Sequence, residues 1–171
     1  MISPTKIKRL CLLICLIPAY VQALNTDHQQ PIHIEAEEVE IDKQKGISRY
    51  HGNVLLKQGS LVIRGNTVLL HHKDGQLEKV IISGKPASFQ QTPDKGGISI
   101  VSQAQRMEYI AKQSRLLLFE NAEVSQGNNV FSGEEIAYDI VKGTVVANRG
   151  ESEGNRINAI LDESKLINKS P

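Results

Sequence analysis

Apolar residues alternate with polar ones over short runs along most of the chain. Pairs that keep this two-residue spacing are Ile32 and Ile34, Val54 and Leu56, Leu61 and Ile63, Val68 and Leu70, Ile98 and Ile100, and Ile136 and Tyr138. Stretches rich in Gly, Asn, Asp and Ser, such as Gln58-Gly59-Ser60 and Lys142-Gly143, interrupt the runs. A period of two that is broken by turn residues predicts an almost all-β chain.

One six-residue phrase occurs four times, as AEEVEI at Ala36, GNTVLL at Gly65, AQRMEY at Ala104 and GEEIAY at Gly133. In each phrase the alternation slips by one position beside the small residue. A one-residue slip reverses which side chains face the core, unless a bulge or bend supplies an extra residue. The sequence therefore predicts a chain that turns the same corner four times and carries its strands from one sheet to a second. The expected fold is a β-sandwich or jelly roll with open edges.

The phrases belong to a longer internal repeat. GNVLLKQGSLVIRGNTVLL, residues 52–70, aligns with ENAEVSQGNNVFSGEEIAY, residues 120–138. The alignment matches Asn53 with Asn121 and Gly65 with Gly133. Two tandem halves of about 68 residues are predicted, as in other repeating architectures.

The first 23 residues have the features of a secretory signal. Lys6, Lys8 and Arg9 form a basic region, LCLLICLIPAY an apolar one, and Val21-Gln22-Ala23 a cleavage site. The apolar run is shorter than the roughly 20 residues that span a bilayer. We expect residues 1–23 to be a cleaved signal peptide and residues 24–171 one domain that begins near a short helical turn. A retained anchor is the alternative.

The composition of the exported part excludes several classes of protein. Cys11 and Cys15 are the only cysteines and both lie in the predicted signal, so neither a disulfide framework nor a cysteine-ligated metal site is expected. Without the signal, 17 basic and 19 acidic residues remain. This slight acidic excess, with no Trp and few other aromatic residues, argues against a nucleic-acid partner.

No catalytic or metal-binding motif occurs in the sequence. The chain has neither HExxH nor GxSxG. His71 and His72 are adjacent on a predicted strand and therefore point to opposite faces. The acidic residues Glu35, Glu37, Glu38 and Glu40 are interpreted as a polar outer face rather than a calcium site, because the spacing is that of a strand. No enzyme activity and no cofactor are predicted.

The apolar interior leaves two interpretations open. Its residues are mostly Ile, Val and Leu, which fit an ordinary packed core. Two sheets that are partly splayed would instead leave a dry groove. An acyl chain that enters such a groove gains about 0.8 kcal/mol per buried CH₂. Periodicity alone does not separate the groove from the filled core.

Three segments resemble the OstA-like family: QPIHIEAEEVEI at Gln30, YHGNVLLKQGSLVIRGNTV at Tyr50, and GKPASF at Gly84. The likeness extends over roughly residues 30–160. It implies a single, open-ended β-jelly roll of V-shaped section in the periplasm. Its interior would receive the acyl chains of lipid A, and the protein would act in lipopolysaccharide transport to the outer membrane.

The resemblance also implies the partners. Copies would join head-to-tail between an inner-membrane lipopolysaccharide extractor complex, which has an anchored OstA-like subunit, and the N-terminal OstA-like domain of an outer-membrane translocon. An open jelly roll has two free edges that invite partner strands. We therefore expect a last strand within Arg156–Ile167 to pair with the first strand, Pro31–Glu37, of another copy.

Twelve residues form the predicted lipid-binding surface. The resemblance implies that Ile32 and Ile34 lie at the groove and the joining edge, and that Phe89, Met107 and Tyr109 line the groove. Periodicity adds seven further inward residues: Val54, Leu56, Ile63, Val68, Leu70, Ile136 and Tyr138.

Three other functions remain open at this point. One is a membrane-anchored partner of the same fold, which would retain its N-terminal helix. The second is a periplasmic protein scaffold with a filled core. The third is an enzyme that acts on lipid or glycan.

Overall fold

The computed structural model describes residues 27–93, 97–150 and 156–162. The predicted signal peptide and the end of the predicted last strand lie outside these residues. The described ranges contain ten strands: β1 His33–Glu35, β2 Glu38–Asp42, β3 Ile47–Gln58, β4 Leu61–Lys73, β5 Gln76–Gln91, β6 Ile100–Ile110, β7 Arg115–Gln126, β8 Asn129–Asp139, β9 Thr144–Asn148 and β10 Asn158–Ile160. Short 3₁₀ turns occur at Asp27–Gln29 and Ala111–Gln113. The predicted all-β fold and the helical turn near its start are confirmed.

All ten strands belong to one antiparallel sheet. The order is β1-β3-β4-β5-β6-β7-β8-β10, with β2 also beside β3 and β9 also beside β8. Each long strand therefore pairs with the next one along the chain. The two ends of the sheet, β1 with β2 and β9 with β10, have no further strand beside them among the residues described. None of the helices in this part of the chain is long and apolar enough to cross a membrane.

The sheet bends along a crease through the middle of its strands. Each long pair shifts register there, as between Ser83 and Ala87 of β5. Buried positions also change phase: Ser102 and Ala104 of β6 are buried before the crease, and Met107 and Tyr109 after it. The predicted slip is thus confirmed, although the two predicted sheets are layers of one continuous sheet. Layer A comprises residues 33–35, 54–65, 87–91, 100–104, 122–133 and 158–160, and layer B residues 38–51, 67–83, 106–119 and 135–148.

The crease depends on small residues and on left-handed backbone. Strand β3 crosses it through Gly52 and Asn53, with φ of 79° and 44°, and β7 through Glu120 and Asn121, with φ of 65° and 55°. A Cβ atom added to Gly65 would lie 2.8 Å from the carbonyl oxygen of Ser83. Small residues at the repeated corner therefore let neighbouring strands approach closely.

The fold repeats at the spacing that the sequence predicts. Strands β3 and β4 begin 68 positions before β7 and β8. The backbone N–H of His72 donates to the carbonyl oxygen of Gly46 (2.7 Å), and that of Ile140 donates to Ser114 (2.9 Å), again 68 positions later. The two halves therefore share local hydrogen bonds as well as strand order.

The alternation is misleading at two places. Ile98 does not continue strand β6, which begins at Ile100, and its side chain is 44% exposed. Val39 and Ile41 of β2 are 60% and 56% exposed, although their phrase matches those whose apolar pairs are buried. These two residues remain exposed because β2 is an edge strand with a neighbour on one side only.

Candidate functional site

The inner faces of the two layers form one apolar cluster. It includes all twelve residues that the sequence analysis assigns to the lipid-binding surface. Ten of them are at most 2% exposed: Val54, Leu56, Ile63, Val68, Leu70, Phe89, Met107, Tyr109, Ile136 and Tyr138. Ile32 and Ile34 are partly buried and pack against the others. The structure thus brings the predicted residues together on one surface, and their contact with a ligand stays a prediction.

Several inward residues are not in the predicted set. The most prominent are Val80 and Ile82 of β5 and Leu116 and Leu118 of β7, each at most 1% exposed. Their alternation is masked in the sequence, because the outward residue between each pair, Ile81 or Leu117, is also apolar. Their inward orientation could have been inferred from their strand partners, because Val80 and Ile82 pair with Leu70 and Val68. In the same way, Leu116 and Leu118 pair with Tyr138 and Ile136.

The layers touch through an aromatic pair. Phe89 projects from layer A and Tyr109 from layer B, and their ring centroids lie 5.5 Å apart with an interplanar angle of 45°. This distance lies within the roughly 4.5–7 Å range of favourable aromatic pairs. The interior is therefore packed in this state rather than open from end to end.

A second contact between the layers is polar. The Tyr138 hydroxyl of layer B donates to Oε1 of Gln126 in layer A at 3.5 Å. Burial of Tyr138, and to a lesser extent the neighbouring Asp139 carboxylate, raise the pKa of this phenol. The hydroxyl therefore remains a neutral donor at physiological pH.

A cleft of about 650 Å³ opens where the ends of the layers meet solvent. Ile32 lines it from the segment before β1, and Gln58 lines it from layer A. His72, Leu77 and Ala111 line it from the opposite side. Ile32, Leu77 and Ala111 also pack against the buried cluster, so the cleft is continuous with the apolar interior. We call this cleft the mouth; its size is in the usual range for ligand pockets.

The start of the described chain is fastened by a buried carboxylate. Asp27 is 5% exposed. It accepts hydrogen bonds from the backbone N–H of Ser60 (2.8 Å), the Ser60 hydroxyl (2.7 Å) and Nε2 of Gln91 (3.1 Å). These bonds, which we call the latch, tie the first 3₁₀ turn to the β3–β4 hairpin and the end of β5. The sequence analysis did not identify this role.

Polar and acidic groups lie outside the cluster. Glu35, Glu37, Glu38 and Glu40 are exposed along the β1–β2 edge, as expected of a polar outer face. Nδ1 of His51 lies 3.1 Å from the Thr67 hydroxyl. Within the described residues, no group of His, Cys, Asp and Glu side chains could hold a metal ion.

The two edges also carry exposed apolar side chains. Val39 and Ile41 on β2 are 60% and 56% exposed, and Val146 on β9 and Ile160 on β10 are 53% and 64% exposed. An edge strand with unpaired backbone groups and apolar side chains favours association with another strand. These edges are therefore candidate interfaces.

A bent antiparallel sheet with an apolar inner face, a polar outer face and two free edges defines an open β-jelly roll. The chain belongs to the LptA/(LptD N-terminal domain) LPS transport protein family, whose model matches residues 33–144. The resemblance to OstA-like proteins that the sequence indicates is therefore confirmed.

Comparison with individual proteins supports this assignment. The chain is 36% identical over 136 residues to the lipopolysaccharide export system protein LptH of Pseudomonas aeruginosa, covering 79% of this chain and 77% of that one. It is 31% identical over 161 residues to LptA of Escherichia coli K12, covering 93% and 84%. The crystal structure of Pseudomonas aeruginosa LptH, titled the LptA homologous periplasmic component of the lipopolysaccharide transport device, matches with a TM-score of 0.73 and 33% identity. That match covers 80% of this chain and 98% of LptH.

Proposed function

We propose that this chain is a periplasmic, non-enzymatic transport protein that binds lipopolysaccharide and shields the acyl chains of lipid A between its two layers. The observation that carries the proposal is the continuity of the apolar inner face with the mouth, through Ile32, Leu77 and Ala111. The names of the relatives, lipopolysaccharide export system proteins, support the choice of ligand.

The chemistry of the inner face suits acyl chains. A chain of 12 carbons that leaves water gains on the order of 9 kcal/mol, at about 0.8 kcal/mol per CH₂. The phosphates and sugars of lipopolysaccharide stay in water, since no Lys or Arg side chain is buried among the residues that the structure describes.

Binding requires the layers to part. Phe89 and Tyr109 are at most 1% exposed and their rings are in contact. An acyl chain that enters at the mouth replaces such contacts with equally apolar ones, so the cost of separating the layers is partly offset. The ligand should therefore reach Leu77 before it reaches Phe89.

We further propose that copies assemble edge to edge into a bridge. Its ends would be the anchored OstA-like subunit of the inner-membrane extractor complex and the N-terminal OstA-like domain of the outer-membrane translocon. The family description, which joins LptA with the LptD N-terminal domain, supports a shared edge geometry for this chain and the translocon domain. Strands lie about 4.8 Å apart, so the eight strand positions of this sheet extend about 40 Å. Several copies would thus be needed to cross a wider gap.

Photo-crosslinking in the cell envelope tests the lipid proposal. A photoreactive amino acid is placed at Leu77 in the mouth, at Phe89 inside, and at the exposed Glu38 on the outer face, and adducts are probed for lipopolysaccharide. Adducts at Leu77 and Phe89 but not at Glu38 are expected. Folded, exported protein that gives lipid adducts at neither Leu77 nor Phe89 would contradict the proposal.

The packed interior also favours a second function, a protein scaffold with a permanently filled core. The specific observation is the closed Phe89–Tyr109 contact between the layers. The two functions differ in the response to lipid. A scaffold shows no change in amide hydrogen exchange along β5 and β6 when lipopolysaccharide is added, whereas parting of the layers alters exchange in both strands.

A further inference from the structure

We infer that two copies of this chain join in one fixed strand register, and that the β5–β6 junction inside the chain is the template for it. The inference rests on the edge-to-edge assembly proposed above. Strand β5 is the last strand of the first repeat and β6 is the first strand of the second, so their pairing shows how one repeat joins the next. Its pairs include Ile82 with Met107 and Phe89 with Ser102.

The N-terminal edge is a copy of β6 that lacks its outer neighbour. Val39 of β2 pairs with Tyr50 of β3, and Met107 of β6 pairs with Leu118 of β7, both 68 positions later. Met107 is fully buried, whereas Val39 is 60% exposed. The difference arises because β5 lies beside Met107, whereas no strand of the described residues lies beside Val39 on the equivalent side.

The C-terminal edge is a copy of β5, although the sequence spacing hides this. Ala147 of β9 pairs with Ile136, in the place that Ile82 takes opposite Val68. Ala159 of β10 pairs with Phe131, in the place that Phe89 takes opposite Ile63. The equivalent residues are 65 positions apart in β9 and 70 in β10. The connection from Asp139 to its partner Thr144 is three residues shorter than that from His71 to its partner Lys79, and residues 149–157 separate β9 from β10 in the sequence.

Placing the C-terminal edge of one copy where β5 lies, and the N-terminal edge of a second copy where β6 lies, fixes the register. Ala147 then faces Val39 of the second copy and Ala159 faces Ile34. All these residues lie on inward positions, so the apolar interior continues across the joint. A two-residue slip would preserve the facing direction but leave one inward residue at each strand end without its partner.

Charge supports the same orientation. The N-terminal edge exposes Glu35, Glu38 and Glu40, of which Glu40 is paired with Arg49, whereas exposed Arg149 and Arg156 lie between β9 and β10. Opposite charges on the two edges favour a head-to-tail encounter over contact between like edges.

Paired cysteines on outward positions test the register. The template places Asn158 opposite Glu35 and Ile160 opposite His33. Single variants Glu35→Cys, His33→Cys, Asn158→Cys and Ile160→Cys are made with Cys11 and Cys15 changed to Ser. Mixtures of one N-terminal and one C-terminal variant are then oxidised. Facing residues lie about 4.5–5.5 Å apart and diagonal ones about 7–8 Å, and a disulfide does not form readily beyond about 7 Å.

Two of the four mixtures should form covalent dimers: Glu35→Cys with Asn158→Cys, and His33→Cys with Ile160→Cys. The two crossed mixtures are the matched controls, and we expect at least fivefold less dimer from them. Preferential dimer formation in the crossed mixtures would overturn the register. The absence of covalent dimer in all four mixtures would overturn the joint itself, whether or not light scattering shows that the protein associates. Lipid adducts at Leu77 and Phe89 are measured separately, so failure of the joint is distinguishable from failure of lipid binding.

Discussion

The ring of Phe89 in one layer packs against the ring of Tyr109 in the other, with centroids 5.5 Å apart. The two residues lie on neighbouring strands but on opposite sides of the crease, so this contact closes the bent sheet upon itself. Both side chains are at most 1% exposed. Separation of the layers would break this contact, so we expect the pair to stabilise the folded protein.

Truncation of Phe89 should reveal this closing contact. Phe89→Ala removes a fully buried ring and its aromatic contact, and should lower the free energy of unfolding by about 3–4 kcal/mol. Phe89→Leu retains much of the apolar volume and should cost about 1–2 kcal/mol. Denaturant titration followed by far-ultraviolet circular dichroism gives both values. Equal losses for the two variants would show that ring volume between the layers does not govern stability.

Substitutions at two equivalent positions of the crease should change the stability of the fold in opposite directions. Gly52 and Glu120, 68 residues apart, have φ of 79° and 65°. This left-handed conformation costs a residue with a Cβ atom about 1–2 kcal/mol. A Cβ atom added to Gly52 would also lie 2.7 Å from Cβ of Glu37.

Gly52→Ala should therefore destabilise the fold by about 2 kcal/mol. Glu120→Gly relieves strain but adds backbone freedom to the unfolded chain, so it should stabilise the fold by about 0.5 kcal/mol. Thermal unfolding of both variants beside the parent chain checks the opposite signs. A loss of stability in Glu120→Gly would mean that the Glu120 side chain contributes more than its backbone strain costs.

The corner phrases were predictable because the buried face of a strand must repeat every two residues. The slip between Ala104 and Met107 has one structural solution, a bend with an extra residue, and the structure has it there. The repeat was predictable because matching residues recur 68 positions apart in the two halves. Local pattern was therefore sufficient for the all-β fold, its corners and seven of the twelve predicted inward residues, whereas the family resemblance supplied Ile32, Ile34, Phe89, Met107 and Tyr109.

What sequence reasoning missed depends on neighbours far away in the chain. Val39 and Ile41 read as inward residues, and their exposure follows only from the place of β2 at the sheet edge. The Asp27 latch joins this residue to Ser60, 33 positions later, and to Gln91, 64 positions later. No local sequence motif predicts these contacts. The mouth likewise combines both layers, so its lining required the bend to be known.

Two exposed turns should make stability fall in acid. The carboxylates of Asp42 and Asp139 accept hydrogen bonds from the backbone N–H groups of Lys45 and Lys142. These bonds, followed by the side-chain bonds to the same lysines, lower the pKa of both carboxyls. A lowered pKa in the folded state stabilises the protein above the unfolded-state value of about 3.9, and this contribution is lost as pH falls through the folded pKa.

The doubly substituted Asp42→Asn, Asp139→Asn variant should therefore lose less stability than the parent between pH 5 and the folded-state pKa values. Thermal unfolding at several pH values, with Asp74→Asn as a control turn residue, measures the difference. Parallel curves for parent and double variant would show that these turns do not contribute to the acid response.

Removal of the Asp27 carboxylate should loosen the N-terminal edge without opening the core. Asp27→Ala leaves the half-buried N–H of Ser60 and the buried amide of Gln91 without this acceptor, and each lost partner costs about 1–3 kcal/mol. Because the latch holds the turn that precedes β1, hydrogen exchange of the β1 amides should become at least tenfold faster. Amides of β6, the equivalent strand inside the sheet, should be unchanged, and Glu38→Ala serves as an exposed control on the same edge. If β6 exchange accelerates as much as that of β1, the carboxylate supports the whole fold rather than the N-terminal edge alone.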